Sequence, residues 1–268
     1  MTEPIYLSLI IPAYNAADIL EKNLTVLLNY INRQPFLSEV IIVDDGSDDH
    51  GATEKIAKNA GCVFLRNHKN MGKGAAVRNG MKHASGKFRI FTDADIPYEL
   101  GTIENMLIYL DEWGCEMVVG DRNLQGSCYF LEISKLRRLT SLFFSWFVGT
   151  IVTSSFFDTQ CGIKGFHENS ARFIFDHCRI NGFAFDVEVL YIALKQKMEI
   201  KRIPVKSRNQ GKSTVHVFKH GIIMFFDLFR IKFFHCSGCY KKSKQGHVSS
   251  SSSTVRNETR PPALAHNN

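Results

Sequence analysis

The sequence predicts an α/β fold with a mostly parallel central sheet and helices on both of its faces. Short runs of Val, Ile, Leu and Phe alternate along the chain with longer segments whose apolar residues have helical spacing. Strands that are apolar on both faces are typical of parallel sheets, and their alternation with helices is typical of βαβ units. At 268 residues and 44% hydrophobic content, the chain can form one large domain.

The elements follow one another regularly as far as residue 119. Strands are predicted at residues 7–11, 40–43, 62–65, 88–92 and 117–119, with a later strand at 200–205. Helices are predicted at residues 17–33, 53–60, 74–83 and 97–112. Pro12 ends the first strand, and Pro97 suits the first turn of the fourth helix.

Two apolar segments in the second half of the chain suggest contact with a membrane. Residues 139–157 carry no formal charge, so their length alone permits a membrane span. Their Ser and Thr content favours helices that touch the membrane surface instead, and a span would separate the strand at 200–205 from its sheet. We therefore predict a domain at residues 1–214 with a membrane-surface helical segment at 132–157.

The C-terminal part divides into a helix and a tail. Residues 215–240 combine large aromatic side chains with basic residues, which favours an amphipathic helix in the plane of a bilayer interface. An ordinary docked C-terminal helix is the alternative. Residues 241–268 are basic and rich in serine, and we expect them to be disordered.

The charge distribution favours an anionic partner. The net charge is +7, and residues 201–244 hold eleven Lys or Arg against one acid. The aromatic residues there follow helical spacing instead of interleaving with basic ones, so we expect a membrane surface and no nucleic acid. Seven cysteines lack a framework spacing and no signal peptide precedes the first strand, which favours reduced thiols on the cytosolic side of a membrane.

Acidic residues follow two of the predicted strands. Asp44 comes directly after the second strand, and Asp93-Ala94-Asp95 comes after the fourth. The carboxyl ends of parallel strands meet at one edge of a sheet, where nucleotides bind. A hard divalent cation such as Mg²⁺ uses oxygen ligands and shares one or two carboxylates with substrate phosphates. We therefore predict a metal and a diphosphate at this edge, with Asp93 and Asp95 as the metal ligands.

Neighbouring loops offer the remaining contacts to a nucleotide. Pro12 and Tyr14 follow the first strand and could line a base pocket, while Asp44 could accept hydrogen bonds from a base or ribose. Residues 70–74 open a helix with glycines; they lack P-loop spacing, yet could place Lys73 beside a phosphate. A glycine-rich turn that only permits close packing is the alternative for these residues.

Basic residues at loop ends suggest further phosphate contacts. Arg122 follows the fifth strand and could bind a pyrophosphate with two prongs. Arg137 and Arg138 precede the apolar segment and could meet a lipid phosphate. Lys206 and Arg208, after the last strand, could close over a phosphate from the other side.

These motifs, in this order, resemble glycosyltransferase family 2 with its GT-A nucleotide-diphospho-sugar transferase fold. The resemblance rests on residues 41–49, 70–74 and 93–95. Residues 157–166 and 182–188 look like the dolichyl/polyprenyl-phosphate β-glucosyltransferase branch, related to dolichyl-phosphate mannose synthase. The branch's eukaryotic members carry an N-terminal anchor that is not seen ahead of the first strand.

The resemblance implies inverting transfer of a hexose, with glucose favoured, from a UDP-sugar to a dolichyl or polyprenyl phosphate. Asp93 and Asp95 would hold Mg²⁺ or Mn²⁺, Asp95 also counting as catalytic, and Asp158 and Asp186 fall in the acceptor-side motifs. Either of these two could be a base, orient an arginine or contact the sugar. The donor contacts would be Pro12, Tyr14, Asp44, Lys73, Asp93, Ala94, Asp95 and Arg122, and the acceptor-phosphate contacts Arg137, Arg138, Lys206 and Arg208.

Several alternatives stay open on sequence alone. The enzyme could use GDP-mannose, or it could be a soluble family 2 enzyme that acts on a protein or saccharide. A catalytically silent membrane adaptor is a third reading, which the intact Asp93-Ala94-Asp95 disfavours. A peripheral location at a bacterial inner membrane or the endoplasmic reticulum is expected, and a membrane subunit or a second copy of the chain is left open as a partner.

Overall fold

Seven strands form one mixed sheet in the computed structural model, which describes residues 3–128, 158–208 and 217–241. The strands are β1 (Leu7–Ala13), β2 (Ser38–Asp44), β3 (Val63–Arg66), β4 (Phe88–Thr92), β5 (Met117–Asp121), β6 (Ile163–His167) and β7 (Ile200–Pro204). Their order across the sheet is β3-β2-β1-β4-β6-β5-β7. All neighbours pair in parallel except β6, which runs antiparallel to both β4 and β5.

Helices cover both faces of this sheet, as predicted. They are α1 (Ala17–Ile31), α2 (Ala52–Asn59), α3 (Lys73–His83), α4 (Gly101–Asp111), α5 (Glu168–His177), α6 (Phe185–Lys195) and α7 (Val217–Cys236). Alternate residues of β1 point to opposite faces, so Leu9 packs in the core beneath α1 and α4, and Ile10 packs in the core beneath α3 and α6. The predicted α/β class with a mostly parallel sheet is confirmed.

Three departures from the predicted elements have physical causes. Strand β1 does not end at Pro12 but continues to Ala13; beyond Ile10 it pairs with β2 alone, where a proline can be accommodated. Sequence patterns did not predict β6, α5 or α6. The apolar run of β6 is interrupted by Lys164 and Gly165, so its sequence does not look like a strand. The fourth helix begins at Gly101, not at 97, because backbone groups at residues 97 and 99 bond to residues 208 and 206 (Arg208 N to Pro97 O 2.8 Å; Glu99 N to Lys206 O 2.9 Å). The start of α2 is stabilised by Asp49. This side chain accepts hydrogen bonds from Thr53 N (3.0 Å) and Gly51 N (3.1 Å), which is typical of an acid at a helix N-terminus.

Helix α7 has one docked face and one exposed face. Met224, Leu228 and Ile231 are buried in the core beneath α6, whereas Phe226 and Phe233 are 62% and 68% exposed. Among the described residues, no helix combines the length and apolarity needed to cross a membrane. The segments predicted at 132–157 and 241–268 lie outside the described residues except for residue 241, and the domain division stays a prediction.

Candidate active site

The predicted nucleotide contacts lie together at the carboxyl ends of neighbouring parallel strands. Pro12 lies near the end of β1, and Asp44 is the last residue of β2, where it pairs with Ala13. Tyr14 follows β1 directly and is 48% exposed, so its ring can still gain contacts with a ligand. Asn15, held at φ 47°, donates from its backbone to Ser47 Oγ (2.9 Å) and joins the two strand ends.

Asp44 is fully buried, and only one of its oxygens is hydrogen-bonded within the part of the chain that the structure describes. Oδ1 accepts from the backbone N (2.9 Å) and the hydroxyl (2.5 Å) of Ser47. Oδ2 lies 2.9 Å from Arg66 Nη1, close enough for an ion pair but outside hydrogen-bond geometry. A buried carboxylate oxygen without a donor is costly, so this atom suits a ligand N–H or O–H.

Asp45 holds the glycine-rich turn in place. Its Oδ2 accepts from Gly72 N (2.7 Å), and its Oδ1 accepts from Met71 N (3.1 Å) and Asn67 Nδ2 (2.7 Å). Gly46 is required beside it: φ is +72°, and a Cβ there would lie 2.6 Å from the Cα of Lys69. The turn thereby delivers Lys73 to the site at the first residue of α3.

The Asp93-Ala94-Asp95 motif follows β4 and faces Lys73. Lys73 Nζ forms an ion pair with Asp93 Oδ1, and neither side chain is fully buried. A Cβ on Gly162 would overlap Asp93 Oδ2, so only glycine leaves this carboxylate its position. Burial and the charge of Asp93 raise the pKa of Asp95 above its ordinary value. Two repelling carboxylates beside a single ammonium group are an arrangement that a divalent cation would stabilise.

Asp158 binds Arg122 through both of its oxygens. Arg122 Nε donates to Oδ2 (2.5 Å), Nη2 donates to Oδ1 (2.6 Å), and the Arg122 backbone N donates to Oδ2 (3.1 Å). Burial alone would raise the pKa of Asp158, but the hydrogen bonds and charge of Arg122 outweigh it and lower that pKa. Asp158 is therefore a firmly ionised group that fixes the direction of an arginine.

Asp186 pairs with a lysine that is completely buried. The carboxylate lies in the first turn of α6 and contacts Lys164 Nζ from β6, which also donates to Cys161 O (2.9 Å). Burial raises the pKa of Asp186, while Lys164 and Lys73 act in the opposite direction. This pair places a positive and a negative charge beneath Asp93 and links β6 to the N-terminus of α6.

The predicted acceptor-side cations are only partly described. Lys206 and Arg208 follow β7 on a segment that pairs with residue 98 on one side and residue 128 on the other. Lys206 is exposed, and Arg208 Nη1 is buried without a hydrogen-bond partner among the described residues. Arg137 and Arg138 lie outside the described residues.

Three residues of this region were missed by sequence reasoning. Asp45 holds the glycine-rich turn, and Lys164 holds the Asp186 carboxylate. The hydroxyl of Tyr98 accepts a hydrogen bond from Gly162 N (3.3 Å) beside Asp93. A lysine within the apolar run 161–166 was an available signal, because buried lysines need a charged partner. Tyr98 and Asp45 carried no signal beyond their neighbours.

The described side chains could hold a metal only together with a ligand. Within residues 3–128, 158–208 and 217–241, no three His, Cys, Asp or Glu side chains form a metal-binding group. Cys236 and Cys239, which have C-x-x-C spacing, therefore have no further ligand beside them among these residues. Mg²⁺ commonly takes one or two carboxylates and completes its shell with phosphates and water. Asp93 and Asp95 fit that pattern, with Lys73 beside them to contact the same phosphates.

Known proteins are similar to this chain over most of its length. The model of the family described as "Glycosyl transferase family 2" matches residues 8–177. A dolichyl-phosphate beta-glucosyltransferase of Dictyostelium discoideum is 34% identical over 251 residues, covering 88% of this chain and 77% of that protein. A human protein of the same name is 30% identical over 252 residues, with the same coverages.

Solved structures share the fold. A glucosyl-3-phosphoglycerate synthase from Mycobacterium tuberculosis, crystallised with Mn²⁺, UDP-glucose and phosphoglyceric acid, superposes with a TM-score of 0.64 at 16% identity, covering 85% of this chain and 79% of that one. A mannosyl-3-phosphoglycerate synthase from Rubrobacter xylanophilus gives 0.63 at 14% identity, with 91% and 79% covered.

Proposed function

Because the chain belongs to glycosyl transferase family 2, we propose that it transfers glucose from UDP-glucose to a dolichyl or polyprenyl phosphate, with inversion at the anomeric carbon. One observation carries the proposal: an ionised Asp158 fixes Arg122 near the Asp93-Ala94-Asp95 motif, so cations are available to a donor diphosphate and an acceptor phosphate together. Two relatives named for this activity are at least 30% identical to the chain over most of its length.

The donor would lie along the strand ends. Asp44 Oδ2 accepts a hydrogen bond from the base or ribose, and Tyr14 and Pro12 provide a wall for the base. Lys73 contacts the diphosphate from the start of α3, where the helix dipole also favours negative charge. Asp93 and Asp95 would hold Mg²⁺ or Mn²⁺, which would supply Lewis-acid stabilisation of the departing nucleotide.

The acceptor phosphate needs orientation more than deprotonation. The second pKa of a phosphate monoester is near ~6, so the nucleophile is mostly a dianion at neutral pH. The lowered pKa of Asp158 makes it a weak base, and its two hydrogen bonds to Arg122 assign it to holding that guanidinium. Asp186 holds Lys164 through an ion pair, although burial raises the pKa of this carboxylate above its ordinary value. Arg122, Lys206 and Arg208 then position the phosphate, which is the main contribution that such a reaction asks of the protein.

The exposed face of α7 suits contact with the membrane that carries a lipid acceptor. Phe226, Phe229 and Phe233 follow helical spacing and are 62%, 50% and 68% exposed, while the opposite face is docked. Lys232 and Arg230 lie among them and can meet anionic headgroups. We therefore place the enzyme as a peripheral protein at the cytosolic face of a membrane.

A transfer assay tests the reaction. Purified protein is mixed with labelled UDP-glucose, GDP-mannose or UDP-N-acetylglucosamine and a short-chain polyprenyl phosphate, with Mn²⁺, with Mg²⁺ or with a chelator. We expect metal-dependent glucosyl lipid from UDP-glucose, loss of transfer in Asp95→Asn, and normal transfer in Asp48→Asn, an exposed acid near the same edge. Product from GDP-mannose alone, or equal product with the chelator, contradicts the proposal.

A sedimentation assay tests the membrane contact. Substitution of Phe226, Phe229 and Phe233 by serine should release the protein from phosphatidylserine-containing vesicles. The control replaces Ile108 and Trp113 by serine, which are 38% and 56% exposed on and after α4. Equal sedimentation of both variants with the wild type would reject the α7 surface.

A further inference from the structure

The segment that follows α7 is fastened to α6 by a tyrosine. Tyr240 is 2% exposed, and its hydroxyl donates a 2.6 Å hydrogen bond to Oε1 of Glu188, which is fully buried. Gln196 Nε2 donates to the backbone O of Tyr240 (2.8 Å). Side chain and backbone are both held, so the docked position of this segment depends on α6.

Glu188 uses its other bonding positions to hold the loop of residues 179–182. The backbone N of Arg179 lies 2.9 Å from both carboxylate oxygens, and the backbone N of Ile180 donates to Oε2 (2.8 Å). A carboxylate without water is stabilised only by such donors. Loss of the Tyr240 hydroxyl would therefore leave Glu188 undersatisfied and disturb its grip on the loop.

This loop in turn supports the glycine-rich turn at the donor site. Asn181 O accepts from Ala75 N (3.2 Å), and Asn181 Oδ1 accepts from Arg78 Nη2 (2.5 Å). The approach is so close that a Cβ on Gly72 would lie 2.5 Å from Asn181 O. Gly72 also donates to Asp45, and the next residue is Lys73, which contacts Asp93.

A second set of contacts joins α7 to the same region. The side chain of Gln160, in the segment between Asp158 and Cys161, lies 3.7 Å from Met224 Sδ. Asp227, which is 4% exposed, approaches Gly182 closely enough that a Cβ there would lie 3.8 Å from its Oδ2. The helix that presents phenylalanines outward thus contacts one acceptor-side motif at Gln160 and lies beside the other at Gly182.

From this continuous chain of contacts we infer that Glu188 is a positioning residue that couples the docking of α7 and its C-terminal extension to donor binding. When the Tyr240 segment is docked, Glu188 holds residues 179–182 and the turn at 70–74 is ordered for the diphosphate. When it is released, the turn loses its support and donor affinity falls. The inference goes beyond the proposed reaction and rests on it only for the identity of the donor.

Linkage makes the coupling reciprocal. If docking of α7 favours donor binding, a bound donor must favour docking of α7 by the same factor. A membrane that bound the docked form of α7 more tightly than the released form would therefore raise donor affinity as well.

The test compares two tyrosines that make similar bonds in different places. Tyr240→Phe removes the hydroxyl that reaches Glu188, and Tyr6→Phe removes a hydroxyl that donates to Asp111 Oδ2 (2.8 Å) at the opposite end of the strands. Titration calorimetry on the full chain gives the Kd for UDP with Mn²⁺. We expect Tyr240→Phe to raise that Kd about five- to tenfold, because part of the stabilisation from a hydrogen bond to a charged group is transmitted to the donor site. Tyr6→Phe should leave the Kd within about twofold.

Hydrogen exchange of the same variants reports on the turn itself. The amides of Gly72 and Ala75 should exchange faster in Tyr240→Phe than in Tyr6→Phe, and Gln196→Ala should act in the same direction if Tyr240→Phe does not fold. An unchanged Kd together with unchanged exchange at residues 72–75, while residues 224–236 exchange faster, would overturn the coupling. If the wild type binds no UDP, the proposed function fails, and exchange at residues 72–75 still decides the coupling.

Discussion

Replacing Gly162 by alanine should disturb the proposed metal site and leave the fold nearly unchanged. A Cβ at this position would overlap Asp93 Oδ2 and lie 3.0 Å from Asp93 Cγ, where carbon atoms ordinarily stay about 3.5–4.0 Å apart. The neighbour is the end of a side chain, so the carboxylate can move by roughly 1 Å while the backbone stays in place. A displacement of that size at a reacting centre costs about 100-fold in rate. We therefore expect Gly162→Ala to lose about 100-fold in kcat with a nearly unchanged melting temperature.

The assay is metal-dependent glucosyl transfer over a range of Mn²⁺ concentrations, with thermal unfolding of the same samples. Gly165→Ala is the matched control, because Gly165 lies in β6, which begins directly after Gly162, and a Cβ there would stand 3.2 Å from the apolar side chains of Ile90 and Leu110. We expect that variant to keep transfer within about threefold, since it displaces no group of the site. If Gly162→Ala retained normal kcat and normal Mn²⁺ dependence, Asp93 would not be the ligand that we propose.

Three further perturbations test the parts that surround the metal site. Asp158→Asn should lower kcat/KM for the acceptor by at least about 30-fold, because Arg122 loses a buried charged partner; steady-state kinetics with unchanged kcat/KM would contradict this. Gly46→Ala should lower the free energy of unfolding by about 3 kcal/mol or more in urea, because its backbone is left-handed and a neighbouring backbone blocks a Cβ, whereas Gly51→Ala, left-handed in open space, should cost only about 1 kcal/mol. Asp49→Ala should cost about 1 kcal/mol at pH 7. Burial would raise the pKa of Asp49, but hydrogen bonds to residues 51 and 53 lower it overall. The stabilisation is therefore present above pH ~4 and is lost as the pH falls through the lowered pKa. If the difference in unfolding free energy between variant and wild type grew toward pH 3 in urea titrations, the assignment would be refuted.

Local patterns in the sequence were sufficient for most of the fold and for the donor edge. The apolar runs of β1, β2 and β4 define buried strands because their side chains must leave water on both faces of the sheet. Asp44 at the end of β2 and Asp93 after β4 then lie at the same edge of the sheet, because both strands run parallel to β1 between them. Alternation and the positions of polar residues were enough to predict that the proposed metal and nucleotide residues lie at one edge of the sheet.

Only the tertiary structure shows which residues Asp158 and Asp186 contact. The antiparallel strand β6 lies in the sheet between β4 and β5. Lys164 and Gly165 make its sequence resemble a loop, because the ion pair that allows Lys164 to be buried is formed with Asp186, 22 residues away. Asp158 and Asp186 looked equivalent as acids, yet one binds Arg122 across 36 residues and the other binds a buried lysine. Which ion pair forms depends on long-range packing and desolvation, and a local sequence pattern carries no information about either. The strands and the acids at their ends could be predicted because the apolar or polar character of each segment determines whether it is buried or exposed to water.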